Sequence, residues 1–509
     1  APSAEAAHEL GQALGIKTET VAALLNARSQ AAQPALWLVD EAGLLSMKDA
    51  QALLARAKAT GSWVVLVGDT KQLSAVEAGN PFKSLQAGGM ATAYLDEVLR
   101  QQTQALKTAV QLIAQGEPGR GIDVLDTAGC LHEIETAAER QRQLVQDYLA
   151  LSTAERADTL VLAGTNQERL ALTQALRSAL QTEGSLGTDG FTLTGLRQKT
   201  ITQVQARYVT AYQVGDVLVP TQDYKRQGLV KGQQYTVVAI DRQRRRLVVE
   251  TPSGQMLSVA PECCGRKLVY APQALPVAVG DQLRWTKNDR SLHRRNGQRF
   301  MVEQIGPDGT AQIVDAEGHR QQLSLAGKPY VDYGWVSTTY GSQGKTAERV
   351  LALVDGTMHR AAFYVTVSRA KRQVGLYVAS KGELMQRAGV SRAKENGSDY
   401  VALAGVDTGS VGSDKERYGE LWQRYGEGVA VGNGAERDFV VGCRARAAGH
   451  GSKEIALMLA AGSGLVRQMV RTVGREQAVV YVNQVVRRVY GEQAVERRAR
   501  AGPGHGLER

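Results

Sequence analysis

Cysteines and long apolar runs are scarce in this sequence. Four cysteines occur among 509 residues, and no two of them have the spacing of a zinc-binding pair. No apolar run approaches the ~18 residues that a membrane-spanning helix needs, and the first residues lack both the basic and the apolar region of a signal peptide. These absences predict a reduced, cytoplasmic protein without a membrane-inserted segment.

Aromatic residues and histidines are also few. Aromatic side chains make up 5% of the chain, which limits the candidates for stacking on nucleic-acid bases. The seven histidines are scattered, and no two stand at metal-ligand spacing on one predicted element. The formal net charge of +10 is compatible with a polyanionic partner, although many basic proteins bind no nucleic acid.

A chain of this length needs several hydrophobic cores, and the apolar pattern changes along it. Residues 1–100 alternate helical stretches with short apolar runs at 35–39 and 63–67. Asp40 follows the first run, and Gly68-Asp69 follows the second. Both runs predict buried parallel strands, whose carboxyl ends are where open α/β sheets place their ligands.

The remainder divides by composition into segments of different kinds. We predict, in order, a helical connector at 101–155, the first part of a second α/β lobe at 156–195, a β-rich region at 196–330, the return of that lobe at 331–380, a linker at 381–437 and a basic helical module at 438–509. In the β-rich region the phrase Val214-Gly215-Asp216-Val217 is echoed by Val279-Gly280-Asp281-Gln282. One or two small SH3-like β-barrels, inserted in the second lobe, are therefore expected there.

Acidic residues follow the first predicted strand as the pair Asp40-Glu41. An aspartate at this position can hold Mg²⁺, and the adjacent glutamate can orient and deprotonate a water that attacks a γ-phosphate. Such a pair is more often a helix N-cap, so it does not decide alone. The phrase at 68–79 favours phosphate chemistry, because it closes the next strand and so lies beside the acidic pair in the sheet. Within it, Gln72 is long enough to reach a γ-phosphate and neutral enough to sense it.

These two stretches resemble motifs II and III of superfamily-one helicases, in the RecD-like branch that includes conjugative relaxase-helicases of the TraI/TrwC (MobF) type. Four further stretches resemble other motifs of that branch, in the same order along the chain: motif Ia at 1–7, motif IV at 95–101, motif V at 338–346 and motif VI at 364–370. The resemblance covers roughly 1–180 and 330–380, and the β-rich insertion lies where that branch carries a barrel.

The resemblance implies an α/β fold of two RecA-like P-loop NTPase lobes, the first incomplete, with small β-barrel insertions in the second and a helical C-terminal module. It implies ATP and Mg²⁺ as cofactors, single-stranded and duplex DNA as partners, and 5′→3′ translocation. The implied catalytic residues are Asp40 (also the Mg²⁺ ligand), Glu41, Gln72 and the arginine fingers Arg100 and Arg369. The implied nucleotide-binding residues are Gly68, Asp69, Gln343 and Gly344, and the implied DNA contacts are Pro2, Ser3, Thr338, Thr339, Tyr340 and Ser342.

Tryptophans in basic or motif-rich stretches are additional candidates for base stacking. Trp285 stands among basic residues at 284–290, a pattern that fits single-strand contact and a solvated loop equally well. For Trp335 the sequence favours core packing over stacking.

A phosphate-binding loop is missing from the 509 residues. Gly344-Lys345-Thr346 ends like such a loop, but Thr339 stands where its first glycine must be. In the family the loop lies just before motif Ia, so we expect an N-terminal truncation and expect this chain alone to bind ATP poorly, because the anion-binding amides of that helix start are lacking.

The leading interpretation is the helicase segment of a conjugative relaxase, with other conjugative transfer proteins as further partners. A relaxase centre itself is not expected in these residues, because it needs a cluster of metal-binding histidines. A free-standing RecD-like helicase of recombination or repair is one alternative. A non-catalytic DNA-binding clamp derived from a helicase is another, and the missing phosphate loop favours it for this chain.

Overall fold

The computed structural model describes residues 1–26, 34–75, 79–95, 97–188, 190–289, 291–354, 356–392, 415–427 and 434–472, with single positions between 478 and 489. Its helices are α1 (Ala4–Leu14), α2 (Val21–Asn26), α3 (Met47–Thr60), α4 (Pro81–Ala87), α5 (Gln104–Ala114), α6 (Pro118–Thr127), α7 (Ala137–Leu149), α8 (Thr153–Ala157), α9 (Asn166–Glu183), α10 (Arg360–Ser368), α11 (Lys381–Gly389), α12 (Lys415–Tyr425), α13 (Gly434–Ala447), α14 (Ser452–Gly462) and α15 (Gly464–Thr472). Among the described helices, none combines the length and apolar character needed to cross a bilayer.

The strands run through the first 380 residues. They are β1 (Leu36–Val39), β2 (Trp63–Leu66), β3 (Leu131–Glu133), β4 (Thr159–Ala163), β5 (Phe191–Gln198), β6 (Val217–Pro220), β7 (Tyr235–Asp241), β8 (Arg246–Glu250), β9 (Met256–Val259), β10 (Lys267–Val277), β11 (Gln282–Trp285), β12 (Arg299–Ile305), β13 (Thr310–Asp315), β14 (Arg320–Ser324), β15 (Val331–Tyr333), β16 (Val336–Thr338), β17 (Ala347–Leu353) and β18 (Ala370–Val378).

The first lobe contains the parallel pair β1 and β2, as the apolar runs indicate. One face of this pair packs against α2 and α3. The other face carries Leu36, Leu38, Trp63 and Val65, which are exposed, Trp63 to 79%. The expectation that both strands are buried on both faces was wrong, because the described helices cover a single face. This lobe is therefore incomplete within the described residues.

The second lobe is built on a parallel five-stranded sheet in the order β16-β4-β17-β18-β3. Helices α5, α6, α10 and α11 pack on one face around one core, and α7 and α9 pack on the other. The segment 101–155, expected to be a helical connector, instead supplies the edge strand β3 and helices to both faces. The apolar stripes of these helices find their burial on the sheet, which makes the segment part of the second lobe and completes its α/β architecture.

The β-rich region consists of two copies of one five-stranded meander, which we name the first β module (214–270) and the second β module (279–333). Their strand orders correspond, β10-β6-β7-β8-β9 and β15-β11-β12-β13-β14. Matching backbone bonds lie 65 residues apart: Gly215 donates to the Val237 carbonyl at 2.7 Å, and Gly280 donates to Val302 at 2.8 Å. Both glycines have φ above 90°, a conformation that other residues rarely adopt. β5 joins the first sheet through β10.

The repeated aspartates occupy the same position in each module but have different partners. Asp216 accepts the Gln213 N–H at 2.9 Å and pairs with Lys199 at 2.7 Å. Asp281 accepts the Ala278 N–H at 2.8 Å and two bonds from Arg177 on α9, at 2.8 and 2.7 Å. It also accepts the indole N–H of Trp335 at 3.0 Å, and that tryptophan is half-buried and packs against the hydrophobic core. A buried ion pair thus fastens the second β module to the second lobe.

Helices α12 to α15 form a separate apolar cluster with a buried carboxylate at its centre. Asp438 accepts bonds from Trp422 at 3.2 Å, Ser463 at 2.6 Å and Tyr481 at 3.0 Å. The predicted linker at 381–437 differs from the structure, since α11 and α12 are helices within it. Residues 393–414, 428–433 and 490–509 of the predicted linker and C-terminal module lie outside the described residues.

Loss of the Asp281 carboxylate should destabilise the protein more than loss of its counterpart in the first module. Asp281→Ala leaves a buried guanidinium without its anion, which costs about 3–5 kcal/mol, whereas Asp216→Ala leaves a lysine with 20% of its side chain exposed. Both changes remove an acceptor for a backbone N–H, so the difference reflects the two partners particular to Asp281, which are Arg177 and the Trp335 indole. Thermal unfolding measures it, and equal losses for the two variants would contradict this account.

Candidate functional site

The loops that follow β1 and β2 lie in direct contact. The Ala42 N–H donates to the Val67 carbonyl at 2.8 Å. A Cβ on Gly68 would stand 3.0 Å from the Gly43 nitrogen and 3.1 Å from the Ala42 nitrogen, so a larger residue cannot be accommodated without moving backbone. The carboxylates of motif II and the polar side chains of motif III therefore meet at one edge of the first lobe.

Motif II carries the acidic pair in a constrained turn. Glu41 has a positive φ of 52°, and Asp40 Oδ1 accepts the Glu41 N–H at 2.8 Å. The short helix that follows, Ala42–Leu44, has Glu41 at its N-cap but no capping bond from that side chain. The N-cap interpretation of the pair is therefore not supported, and the Glu41 carboxylate is not used in capping.

Motif III places an amide beside these carboxylates. Asp69 accepts the Lys71 N–H at 2.9 Å, and its other oxygen lies 3.5 Å from the Gln72 amide nitrogen. The Gln72 Oε1 atom is buried and has no hydrogen-bond partner among the described residues. A buried acceptor left without a donor costs free energy, which is the feature expected where a ligand or metal-bound water completes the site.

Both predicted arginine fingers are anchored on backbone carbonyls of the second lobe and influence the charge of Glu41. Arg100 donates to the Ser368 carbonyl at 3.1 Å. Arg369 is 1% exposed and donates to the carbonyls of Val365 and Lys345, each at 3.2 Å. Burial raises the pKa of Glu41, Asp40 raises it further, and the two guanidinium charges partly oppose this. Burial also lowers the pKa of Arg369 to about 10, so it stays charged at neutral pH.

Motif V bridges the two lobes. The Gln343 amide donates to the Leu73 carbonyl at 3.0 Å, and Lys345 Nζ lies 3.6 Å from Glu5 Oε1 on α1. Burial lowers the pKa of Lys345 to about 8. Gly344 between them has a φ of 85°. The predicted nucleotide contact Gln343 is thus engaged with motif III in this structure.

Several predicted DNA contacts in motif V are buried. Thr339 is 4% exposed and Ser342 is fully buried, and the Ser342 hydroxyl donates to the Thr339 carbonyl at 2.7 Å. These two side chains cannot reach a nucleic acid, so that part of the prediction was wrong. Thr338 is half-buried and accepts the Gly341 N–H at 3.1 Å. Tyr340 is 49% exposed and remains accessible.

Trp285 is also buried, with 4% of its surface exposed. Its ring centroid lies 4.5 Å from that of Phe300, and the Arg294 guanidinium lies over the ring at 4.0 Å. No face is left for a base, so the predicted stacking role was wrong. The strand alternation in β11 points this side chain into the module core, which a basic local sequence does not reveal.

The two candidates at the start of the chain lie at the beginning of α1. Ser3 is exposed, and its hydroxyl accepts the Ala6 N–H at 3.1 Å as the helix N-cap. Pro2 is half-buried. Their helix also contains Glu5, the partner of Lys345, so the segment of motif Ia and the loop of motif V meet here.

A basic cavity of about 330 Å³ lies between the lobes beside motif III. Its lining includes the cations Lys71, Lys83, Arg360 and Arg392, together with Tyr340, and no carboxylate belongs to the described residues that line it. The Arg360 Nε and His359 Nδ1 atoms there are buried without hydrogen-bond partners in the described part of the chain. Sequence reasoning missed this cavity, because its lining comes from five distant segments and Lys71 is the one of its four cations that lies within a motif.

Lys345→Met should raise the melting temperature at pH 7. The lysine pKa falls from 10.5 to about 8 in the folded protein, so the unfolded chain binds the proton more tightly and the charged side chain lowers stability at neutral pH, by at most about 3 kcal/mol. The gain should be constant below pH 8 and shrink between pH 8 and 10.5. Lys371→Met, at a lysine 38% exposed, is the control, and a gain independent of pH would contradict the assignment.

A family model described as an AAA domain matches residues 1–136. The probable conjugal transfer protein TraA of Sinorhizobium fredii is 24% identical over 384 residues, covering 73% of this chain and 27% of TraA. The multifunctional conjugation protein TraI of Escherichia coli is 22% identical over 397 residues, covering 68% of this chain and 22% of TraI. The chain therefore spans about a quarter of the length of these curated relatives.

Among solved structures, the Pif1 helicase of Candida albicans is 16% identical with a TM-score of 0.33, covering 79% of this chain and 84% of that one. A Bacteroides Pif1 helicase in complex with ADP-AlF3 and ssDNA is 12% identical with a TM-score of 0.31, covering 72% and 73%. The fold assignment rests on the strand orders above rather than on these loose likenesses. The relatives confirm the resemblance that the ordered motifs indicate: over about 70% of its length this chain is similar to the conjugative transfer proteins TraA and TraI.

Proposed function

We propose that this chain is the helicase segment of a conjugative relaxase-type protein, a DNA-dependent ATPase motor that moves 5′→3′ along a single strand. The observation that carries the proposal is the arrangement of Asp40, Glu41 and Gln72 on the first lobe beside Arg100 and Arg369, whose guanidinium groups are held by backbone carbonyls of the second lobe and oppose the raised pKa of Glu41. Groups from two lobes that share one charge network give a site whose chemistry depends on lobe closure.

The residues present fit a magnesium nucleotide in part. Asp40 would hold the ion, and Gln72 offers a buried acceptor without a partner in the described chain. Glu41, whose pKa is raised mainly by burial, is suited to accept a proton from water. Arg100 and Arg369 would offset negative charge. A bound nucleotide would supply the phosphoryl group whose hydrolysis powers the motor. The backbone cradle for its phosphates is not found in the 509 residues.

The basic cavity supports a single strand as the partner. Four cations, with no carboxylate among the lining residues that the structure describes, favour a phosphodiester chain. The half-exposed Tyr340 on the cavity wall offers a ring for a base. The cavity touches motif III on one lobe and the start of α10 on the other. Lobe movement would therefore change the grip on the strand.

ATPase measurements with and without single-stranded DNA test the motor proposal. We expect the 509-residue chain to show little turnover, and a version extended upstream by a phosphate-loop segment to show DNA-stimulated turnover. In that version Glu41→Gln and Arg369→Ala should each lower kcat by about 100-fold or more, because they remove the proton acceptor and the charge partner.

The controls separate the parts of this proposal. Arg372→Gln, at an arginine 67% exposed and paired with Glu348, should leave turnover unchanged. Rapid turnover by the 509-residue chain would contradict the need for a phosphate loop. An extended version without DNA-stimulated turnover would contradict the motor itself. Unwinding of partial duplexes with either a 5′ or a 3′ tail decides the direction.

Tyr340→Ala should weaken binding of a single strand by about 5- to 100-fold, the cost of losing one stacked base. Tyr340→Phe keeps the ring and should bind like the unaltered chain. Fluorescence anisotropy with an oligothymidine measures both. Trp285→Phe is the matched control, because that ring is buried in the core of the second β module. Equal affinities for Tyr340→Ala and the unaltered chain would exclude stacking at this residue.

A DNA-binding clamp without turnover is a second candidate, and the absence of a phosphate-loop motif from these residues favours it for the chain as it stands. Single-strand binding that responds to Tyr340→Ala but not to added nucleotide would support the clamp. Tighter binding with a non-hydrolysable ATP analogue would exclude it.

A further inference from the structure

The two β modules share a fold but differ in charge at one end. In the first module the turn between β7 and β8 reads Arg242-Gln243-Arg244-Arg245, whereas the corresponding turn between β12 and β13 reads Gly306-Pro307-Asp308-Gly309. Because the same meander forms with either turn, the fold does not require three arginines. Their presence needs another explanation.

A second basic turn lies at the same end of the first module. Ala260, just after β9, donates its N–H to Gln227 at 3.2 Å, and β9 lies beside β8 with Val259 opposite Leu247. These bonds bring the turn at 225–227 next to the turn at 242–245. We name the exposed cations of these two turns the basic end: Lys225, Arg226, Arg242, Arg244 and Arg245.

The strained backbone conformation of Arg245 indicates that the arginine side chain, rather than the backbone geometry, is what this position requires. Arg245 has a φ of 52°, and it immediately precedes the first residue of β8. Gly309 holds the matching place before β13, with a φ of 74°. A residue with a side chain costs about 1 kcal/mol in this left-handed conformation, and glycine does not. At this position the first β module therefore has an arginine, whereas the second β module has a glycine, which adopts the conformation without strain.

The basic end is largely free of internal partners. Arg244 Nε lies 4.0 Å from Asp241 and its side chain is 83% exposed. None of the other four cations forms an ion pair with a carboxylate in the described chain. Five cations held on two short turns attract a polyanion, and arginine forks match phosphate oxygens.

We propose that the basic end binds the phosphate backbone of duplex DNA, at a surface separate from the single-strand cavity. The choice of DNA as the anion rests on the proposed function. The two turns, 225–227 and 242–245, offer no aromatic ring, so they lack the means to stack on unpaired bases. Charged groups that touch only the backbone position a duplex without reading its sequence. The second module has Asp308 at this position, so the first module carries this surface.

The test uses the chain's own second module as its template. One variant replaces residues 242–245 by the Gly-Pro-Asp-Gly turn found at 306–309. The other is Arg242→Gln/Arg244→Gln/Arg245→Gly, which removes the charge and relieves the strained φ, so it should fold at least as well. The matched control, Arg120→Gln/Arg142→Gln/Arg387→Gln, removes the same charge from exposed positions on α6, α7 and α11.

Affinity for a 20-base-pair duplex and for a 20-nucleotide single strand is measured at several salt concentrations. For both test variants we expect duplex affinity to fall about 10- to 100-fold and the salt dependence to lose about two to three phosphate contacts. Single-strand affinity should change less than about twofold, and the control variant should match the unaltered chain.

Several results would overturn the proposal. These are unchanged duplex affinity in both test variants, an equal loss in the control, or an equal loss for the single strand. Loss of binding to anionic lipid vesicles without loss of duplex binding would assign the surface to a membrane instead. The proposed function fails separately, through the response of single-strand binding to Tyr340→Ala and of turnover to Glu41→Gln.

Discussion

The loop between β16 and β17 is the physical link on which the candidate site depends. Through Gln343 it bonds to motif III, and through Lys345 it reaches Glu5 on α1. Arg369 contacts the same loop by donating a hydrogen bond to the Lys345 carbonyl. One set of contacts therefore joins the first lobe, the motif V loop and the buried arginine, and any opening between the lobes must break it. The electrostatic coupling of Glu41 to Arg369 follows from this geometry.

The two β modules share one strand order but differ in the partners of their polar residues. In the second β module the repeated aspartate binds Arg177 and fastens the module to α9. In the first β module, Asp216 binds Lys199, which follows β5 of the same sheet. The turn after β7 carries arginines, whereas the matching turn of the second β module reads Gly-Pro-Asp-Gly. Because the apolar cores are alike and the differences lie in polar positions, the shared fold does not determine what each copy binds.

Local sequence patterns predicted the order of the motifs and the meeting of the loops that follow β1 and β2. They did not predict which of the candidate side chains are buried. The acidic residues after β1 and the polar phrase after β2 could be placed together, because parallel strands bring their carboxyl ends to one edge. Trp285 and Ser342 could not be judged in this way, since the side of a strand or turn that faces a core depends on distant partners. The segment 101–155 looked like a connector because its partner strand, β18, lies about 240 residues away.

The sequence by itself determined the order of the motifs, the α/β character of both lobes and the repeated phrase that marks two related modules. These follow from residue type and short spacing, which act locally along the chain. Only the tertiary structure decided which candidate side chains are accessible and that four cations from distant positions line one cavity. It also decided that Arg245 adopts the left-handed backbone conformation that Gly309 has in the second β module. Those outcomes depend on packing and charge between segments far apart in the chain, for which no local pattern carries a signal.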